Sequence, residues 1–500
     1  MKKFLVLFLA ALPFVSGLDS QDIRHIPGFS GKPPLLYEVT VTRKIFSHVN
    51  PWESRLPGRT KFAGLKLRGG YLLVPGLDGS RVISYLIRDP VRGLSFSAEP
   101  AFSDRFLRIV VLKVHAASED SFINRSPSLK LPANSSLLLN LKELTCLSVN
   151  SRTSSASSGG RSVFVRGVKA RKAPGGGGML PSIIFSAWDR EIRPGDLLFS
   201  GDTFIGFVTD YDYQARRGRA LPSVFLRPLL RKRLSANGKN GLLPHPGFET
   251  EPVADPILKT FFGMGADESG VIISRLYPFS PAAEVLEKGD VILRVDGRTL
   301  APGGEIHNVV FGKLPLQAGI ILKGGGLLSE KDSLALLISR NGRRRELNIR
   351  LESWEEKNYR VPGRFDRPRY LIYGGLVFVE LSGAYIRESR TKSARLRFLA
   401  ARRLYRSVQN DERYVVLDRI LPHAINRGYE YSRLLTESVH GRTVRNLKHL
   451  KSLLKQSPPK EPIVIRLEGG REIVLDPART RQADRTLLKQ YDIQFADNLK

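Results

Sequence analysis

The sequence predicts a mainly β protein built from several domains, on three observations. Between Leu35 and Asn240, short apolar runs such as Leu35 to Val41, Tyr71 to Val74, Leu107 to Val114 and Ile205 to Val208 are mostly closed by Gly, Pro, Asp or Ser, the texture of an all-β sandwich or barrel. Gly270 to Gly297 then reads strand, Ser280-Pro281 turn, short AAEVL helix, Gly289-Asp290 turn, strand Val291 to Val295 and Asp296-Gly297 turn. A further strand and helix pattern begins at Tyr370. With 500 residues, 42% of them hydrophobic, the chain is long enough for three cores.

Taken in order, Lys2 and Lys3, the apolar Phe4 to Val15 and the small residues Val15-Ser16-Gly17 read as a signal peptide over 1–17. That predicts export to the periplasm or outer envelope, or secretion. Cys146 is the single cysteine, which excludes an intramolecular disulfide and any cysteine metal cluster. The formal net charge of +31 suits a solvated basic surface or contact with an anionic envelope surface. The cations are spread along the chain without a helix-turn-helix or RNP pattern, which argues against a nucleic-acid partner. No H-E-x-x-H occurs, so neither metal nor cofactor is expected.

Ser151 to Gly160 and Pro174 to Gly178 are Ser/Gly-rich loops, and the glycine run is no phosphate loop because no Gly-Lys-Ser/Thr follows it. Past the turn-rich Leu242 to Pro256, strands at Ser333 to Ser339 and Glu346 to Leu351 are joined by an Asn341-Gly342 hairpin turn. Tyr370 to Leu381 is a strand region, and a helix over Ser393 to Val408 places Leu396, Leu399, Ala400 and Leu404 on one face. The strand Tyr414 to Leu417, the segment Ile425 to Tyr431 and the turn-then-helix Val439 to Leu450 complete this unit.

The stretch GVIISRLYPFSPAAEVLEKGDVILRVDG resembles the PDZ core of HtrA/Deg-type serine proteases, usually "GVLV..V.P.SPA...L..GDVI..VDG". GGLVFVEL, INRGYE and VHGRTVRNLKHL resemble the C-terminal domain of plant-type Deg proteases. The resemblance implies a degenerate trypsin-like double β-barrel over 35–240, a PDZ domain over 246–352, a second PDZ-like α+β domain over 362–480 and a tail over 481–500. It also implies a possible homo-oligomer.

A trypsin-like protease needs a serine activated by an imidazole that a carboxylate orients. Aligned on the family's "GxVLTNAHV", "DLAIL" and "GNSGGP" segments, Gly76, Phe106 and Leu197 stand at the His, Asp and Ser positions. TFIGFVT (Thr203 to Thr209) and Leu221-Pro222-Ser223-Val224 resemble the strand and "IPTP" element that follow, which fixes the register. A relocated triad would draw on Ser200, His115 or His48, and Asp104 or Asp78. The expectation is therefore a non-catalytic relative, a pseudoprotease that binds proteins or peptides as scaffold, adaptor or chaperone-like holder. The alternatives are an active serine endopeptidase with a relocated triad and a protein that binds a polyanion or the envelope surface.

A PDZ groove captures a chain end or strand between an edge strand and a helix. By resemblance its edge strand and loop fall at Gly247, Phe248, Glu249 and Val253, facing helical Ile306, Val309 and Val310. Glu249 is expected to repel a carboxylate, and Pro252 removes one ladder donor.

Overall fold

The computed structural model describes residues 36–499 except 68, 90–91, 116–137, 139, 149–159, 173–177, 190, 227–229, 231–243, 278–279, 324–325, 329–331, 354–358, 364–366, 402–410 and 459. The proposed signal peptide and nearly all of the two Ser/Gly-rich segments lie outside the described residues.

The expected double barrel is present. Strands β1 (Leu36–Phe46), β2 (Ser54–Lys66), β3 (Tyr71–Pro75), β4 (Val82–Arg88), β5 (Ser95–Asp104) and β6 (Ile109–Val114) close in the order β1-β2-β3-β6-β5-β4. Strands β7 (Glu143–Leu147), β8 (Arg161–Lys172), β9 (Met179–Ser186), β10 (Leu197–Ser200), β11 (Thr203–Asp212) and β12 (Arg217–Pro222) close in the order β10-β11-β12-β9-β8-β7. Burial follows the pleat: along β4, Tyr85 and Ile87 point inward while Leu86 and Arg88 stay exposed. Val39, Val41, Leu72, Val74, Ile87 and Val110 fill the first barrel. Ala63, Leu65 and Leu73, on the opposite faces of β2 and β3, join the core of the second. Burying each large aliphatic side chain there contributes about 1.5–3 kcal/mol.

The unit over 246–352, called the first PDZ unit after its expected fold, follows its turn chemistry. Strand Gly270–Leu276 leads to helix Pro281–Val285, with Ser280 Oγ capping Ala283 N and Pro281 at the first helical position. Strand Val291–Val295 follows. Strands Ser333–Arg340 and Arg343–Arg350 meet at Asn341 (φ 51°) and Gly342 (φ 76°), both left-handed as a type I′ turn requires. Phe225 from the end of the second barrel packs on Phe311 at 5.7 Å, so barrel and PDZ unit share one core.

The C-terminal sheet runs through Tyr370–Tyr373, Leu376–Glu380, Val415–Ile420, Leu434–Val439, Ile463–Leu467 and Glu472–Leu475 in that order. Helix Leu447–Gln456 buries Leu447, Leu450, Leu453 and Leu454 against it. The helix expected over 393–408 is seen as Ala394–Ala401, and residues 402–408 lie outside the described residues. Residues read as a tail are part of this unit: helix Pro477–Gln490 buries Ala483 and Leu487, and Ala496 O accepts from Ile372 N. The unit docks on the β1–β2 turn of the first barrel. There Ser47 Oγ and His48 N donate to the Glu388 carboxylate at 2.7 and 2.8 Å, and Arg419 donates to Asn50 Oδ1 and Val49 O, both at 2.9 Å.

Candidate peptide cleft between the barrels

The barrels touch at two glycines. Gly76 (φ 79°) ends β3, and Gly195 (φ 98°) lies in the turn before β10. A Cβ on Gly76 would stand 2.8 Å from Gly195 Cα, and one on Gly195 would stand 3.2 Å from the Pro75 carbonyl oxygen. No side chain fits at either place without moving backbone, so an imidazole at 76 is incompatible with this junction.

The other two in-register positions are packing residues. Phe106 is buried beside Asp104, whose Oδ1 accepts from Phe106 N and Leu107 N at 2.9 Å each and so shapes the β5–β6 turn. Leu197 is wholly buried and pairs with Phe207 and Leu147 inside the second barrel.

Nor does the structure gather the neighbouring groups. His115 N donates to Ser97 O at one end of the β5–β6 hairpin, while Asp104 pairs with Ile109 at the other. Seven residues of strand separate Ser97 from Asp104, roughly 20 Å. His48 faces the C-terminal unit, and Ser200 pairs with Thr203 in the β10–β11 hairpin. Asp78 Oδ1 accepts from Ser80 N and Oγ at 3.1 and 3.0 Å.

Beside Gly195 a cleft of 1040 Å³ opens between the outer face of the first barrel and the second. Its floor is β4-β1-β2, with Arg88 opposite Glu38 and Leu86 opposite Thr40, which in turn faces Lys61. The far wall is Arg193-Pro194-Gly195-Asp196 with Tyr213. Tyr213 OH donates to Ile192 O at 2.9 Å, which fixes its half-exposed ring edge-on to Tyr211 at 5.1 Å. Lys61 Nζ lies 3.0 Å from Glu38 Oε2. Burial pushes the Asp196 carboxyl up to about 6, outweighing the Arg193 N–H it accepts at 2.8 Å. It thus exchanges its proton near neutrality.

The first PDZ groove differs from its expected form in three ways. Ile306 belongs to strand Glu305–Asn308, paired with Gly312–Pro315, and is fully buried; Val309 is 77% exposed and Val310 packs at the core edge. None of the three lies on a helix. The three-residue Val309-Val310-Phe311 link suits a hairpin, and the β-branched pair has weak helix propensity. The helix over the edge strand Phe248–Val253 is Leu316–Gly319, where Gln317 Nε2 donates to Thr250 Oγ1 and, at 3.5 Å, to Thr250 O. Glu249 does not stand as a bare charge: it accepts from Tyr277 OH at 2.6 Å and pairs with Arg275 at 2.9 Å. Phe248 and Val253 are both buried, Phe248 in the core shared with the second barrel and Val253 in a smaller cluster with Met264, Val291 and Leu293. Gly247 (φ 83°) packs on Ser280, where a Cβ would lie 2.6 Å from Ser280 Cβ. Its N–H donates at 2.9 Å to His245 Nδ1, whose ring burial pushes down to about 4.

Comparison with known proteins decides the lineage. A PDZ-domain family profile matches residues 363–498. Putative protease Do-like 12, mitochondrial, from Arabidopsis thaliana is 27% identical over 240 residues, covering 48% of this chain and 42% of the relative. Protease Do-like 4, mitochondrial, from the same plant is 25% identical over 321 residues, covering 62% of this chain and 57% of the relative. The HtrA-type protease AlgW with decapeptide superposes with a TM-score of 0.45 at 15% identity, over 64% of this chain and 96% of that one. The chain is a relative of the HtrA/Deg-type proteases. Its match spans only 42% and 57% of those two Arabidopsis proteins. The profile falls on the C-terminal unit, so the segment expected to be PDZ-like is a PDZ domain. The expectation that this HtrA/Deg relative is not an enzyme is overturned, since the relatives it matches are named proteases.

Sequence reading missed the cleft. Arg59 and Lys61 at alternate positions of β2, with Arg88 on β4, carried the available signal: period-two charge marks one exposed strand face. Nothing local marks Tyr213 or Gln317, which matter through packing partners far away in sequence.

Proposed function

We propose that this chain is an endopeptidase of the HtrA/Deg type that takes an extended polypeptide segment into the cleft between its barrels, with its PDZ units holding other parts of the same substrate. The observation that carries the reading is the open cleft beside Gly195, between two closed barrels, in a relative of named proteases. In a cleft of this kind an extended chain presents alternate side chains to one wall. The hydrolytic groups in this reading lie outside positions 76, 106 and 197. Ser95 lines the cleft directly opposite Arg88, and Asp196 supplies a carboxyl that titrates near neutrality. Peptide capture at the Phe248–Val253 edge would use its backbone, because Phe248 and Val253 face inward. Export through residues 1–17 belongs to the same proposal and rests on the Lys2-Lys3 and Phe4 to Val15 pattern.

The test is incubation of the full chain with unfolded casein and a serine-directed fluorophosphonate probe, followed by mass-spectrometric mapping of the labelled residue. Cleavage with a labelled serine at the cleft supports the proposal. Intact casein and an unlabelled protein, under conditions where a Do-like protease cuts, overturn the endopeptidase reading.

A further inference from the structure

The cleft's charge is uneven, and the imbalance points to a class of ligand. Its carboxylates are already answered: Glu38 is paired with Lys61 and sits directly across from Arg88, and Asp196 accepts the Arg193 N–H. The cleft's arginines outnumber what these carboxylates neutralise. Arg59 and Arg88 are exposed at its mouth, and neither forms an ion pair among the described residues. Between the walls stand Leu86 on the floor, 47% exposed, and Tyr213 on the far wall, 49% exposed.

We infer that the inter-barrel cleft selects extended polypeptide segments carrying two acidic residues flanking an apolar one. This deepens the cleft reading above and rests on it. The spacing follows from register. Arg59 lies opposite Thr42, and Arg88 opposite Glu38, on the two strands flanking β1. Four residues along the strand at about 3.3 Å each and two strand spacings of about 4.8 Å put the two arginines roughly 16 Å apart. Four steps of an extended chain cover about 13 Å and keep the acids at positions i and i+4 on the same side, and the long arginine side chains bridge the remaining few ångströms. The intermediate residue i+2 then faces Leu86 and Tyr213. Guanidinium groups favour this role because each takes a carboxylate through two parallel N–H donors.

The experiment measures fluorescence anisotropy of three labelled ten-residue peptides with the full chain. The first has Asp at i and i+4 around a Leu; the second has the same composition with the two Asp adjacent; the third has Lys in place of Asp. The expected order is first, second, third, with about tenfold between the first and third, narrowing as salt rises from about 50 to 200 mM. Because the whole chain is basic, the double variant Arg59→Gln/Arg88→Gln is compared with Arg343→Gln/Arg345→Gln, an equal charge change on an exposed strand of the first PDZ unit. Loss of preference in the first pair alone supports the inference. Equal binding of all three peptides overturns it while leaving the cleft reading intact. Acidic preference that survives Arg59→Gln/Arg88→Gln also overturns it, by placing the site elsewhere. Absence of binding by any peptide overturns the cleft reading itself. All four arginines are exposed, and thermal midpoints within a degree of the parent confirm folded variants.

Discussion

The cleft between the barrels and the groove of the first PDZ unit are both places where an extended chain can lie, yet they are built in opposite ways. The cleft is open, and the exposed Arg59 and Arg88, which form no ion pair among the described residues, line it. In the groove, Gln317 reaches across to Thr250, and Glu249 is already held by Arg275 and Tyr277. Polar groups that satisfy one another leave little for a ligand, whereas exposed guanidinium groups without an ion-pair partner retain binding capacity. A motif recognisable in sequence thus marks the covered site. The open one is made by residues that carry no motif.

The largest test of this contrast lies at the junction bordering the cleft. Gly76→Ala places a methyl 2.8 Å from Gly195 Cα in a left-handed conformation, and unfolding in urea should show a loss of about 2–4 kcal/mol. An unchanged midpoint would mean that the barrels part easily and that the cleft is not of fixed width. Next comes the pH dependence of Asp196. Its folded pKa, raised to about 6 from 3.8, means the folded state holds this proton more tightly. The contribution is therefore fully present below about 4 and is lost as pH rises through 6. Relative to Asp196→Asn, the parent should lose on the order of 1–3 kcal/mol between pH 4 and pH 7, read from denaturation curves at both values. A constant difference would show Asp196 to be well solvated.

The smaller effects fall on the groove. Gln317→Ala removes the bridge to Thr250, with an expected cost of about 1 kcal/mol and a gain of peptide binding at the Phe248–Val253 edge by calorimetry. If affinity does not rise, the helix rather than the amide limits the groove. Glu249→Gln keeps an acceptor for Tyr277 but gives up the charge facing Arg275, for about 0.5 kcal/mol of stability in thermal melts.

Local chemistry made much of the fold legible. Asn341-Gly342, Ser280-Pro281 and Asp296-Gly297 each demand one backbone geometry, and each turn forms where those residues stand. The stretch 305–310 went the other way. Its apolar spacing fits a helix face, but Ile306 is instead fixed by pairing with Leu314 on a strand, a contact outside any short window. Likewise, reading Gly76, Phe106 and Leu197 one by one said which side chains are there. It said nothing of what the chain does, and the protease relatives reversed the conclusion drawn from those three positions.

By itself the sequence determined the strand texture, the tight turns, the capped short helix and the lineage, because each depends on propensities or φ values confined to a few neighbouring residues. Only the tertiary structure decided that Gly76 meets Gly195, that Arg59 and Arg88 flank one cleft, and that Gln317 covers one groove. Those relations come from barrel closure and strand register, which bring together residues up to about 120 positions apart in the chain, beyond the reach of any local pattern.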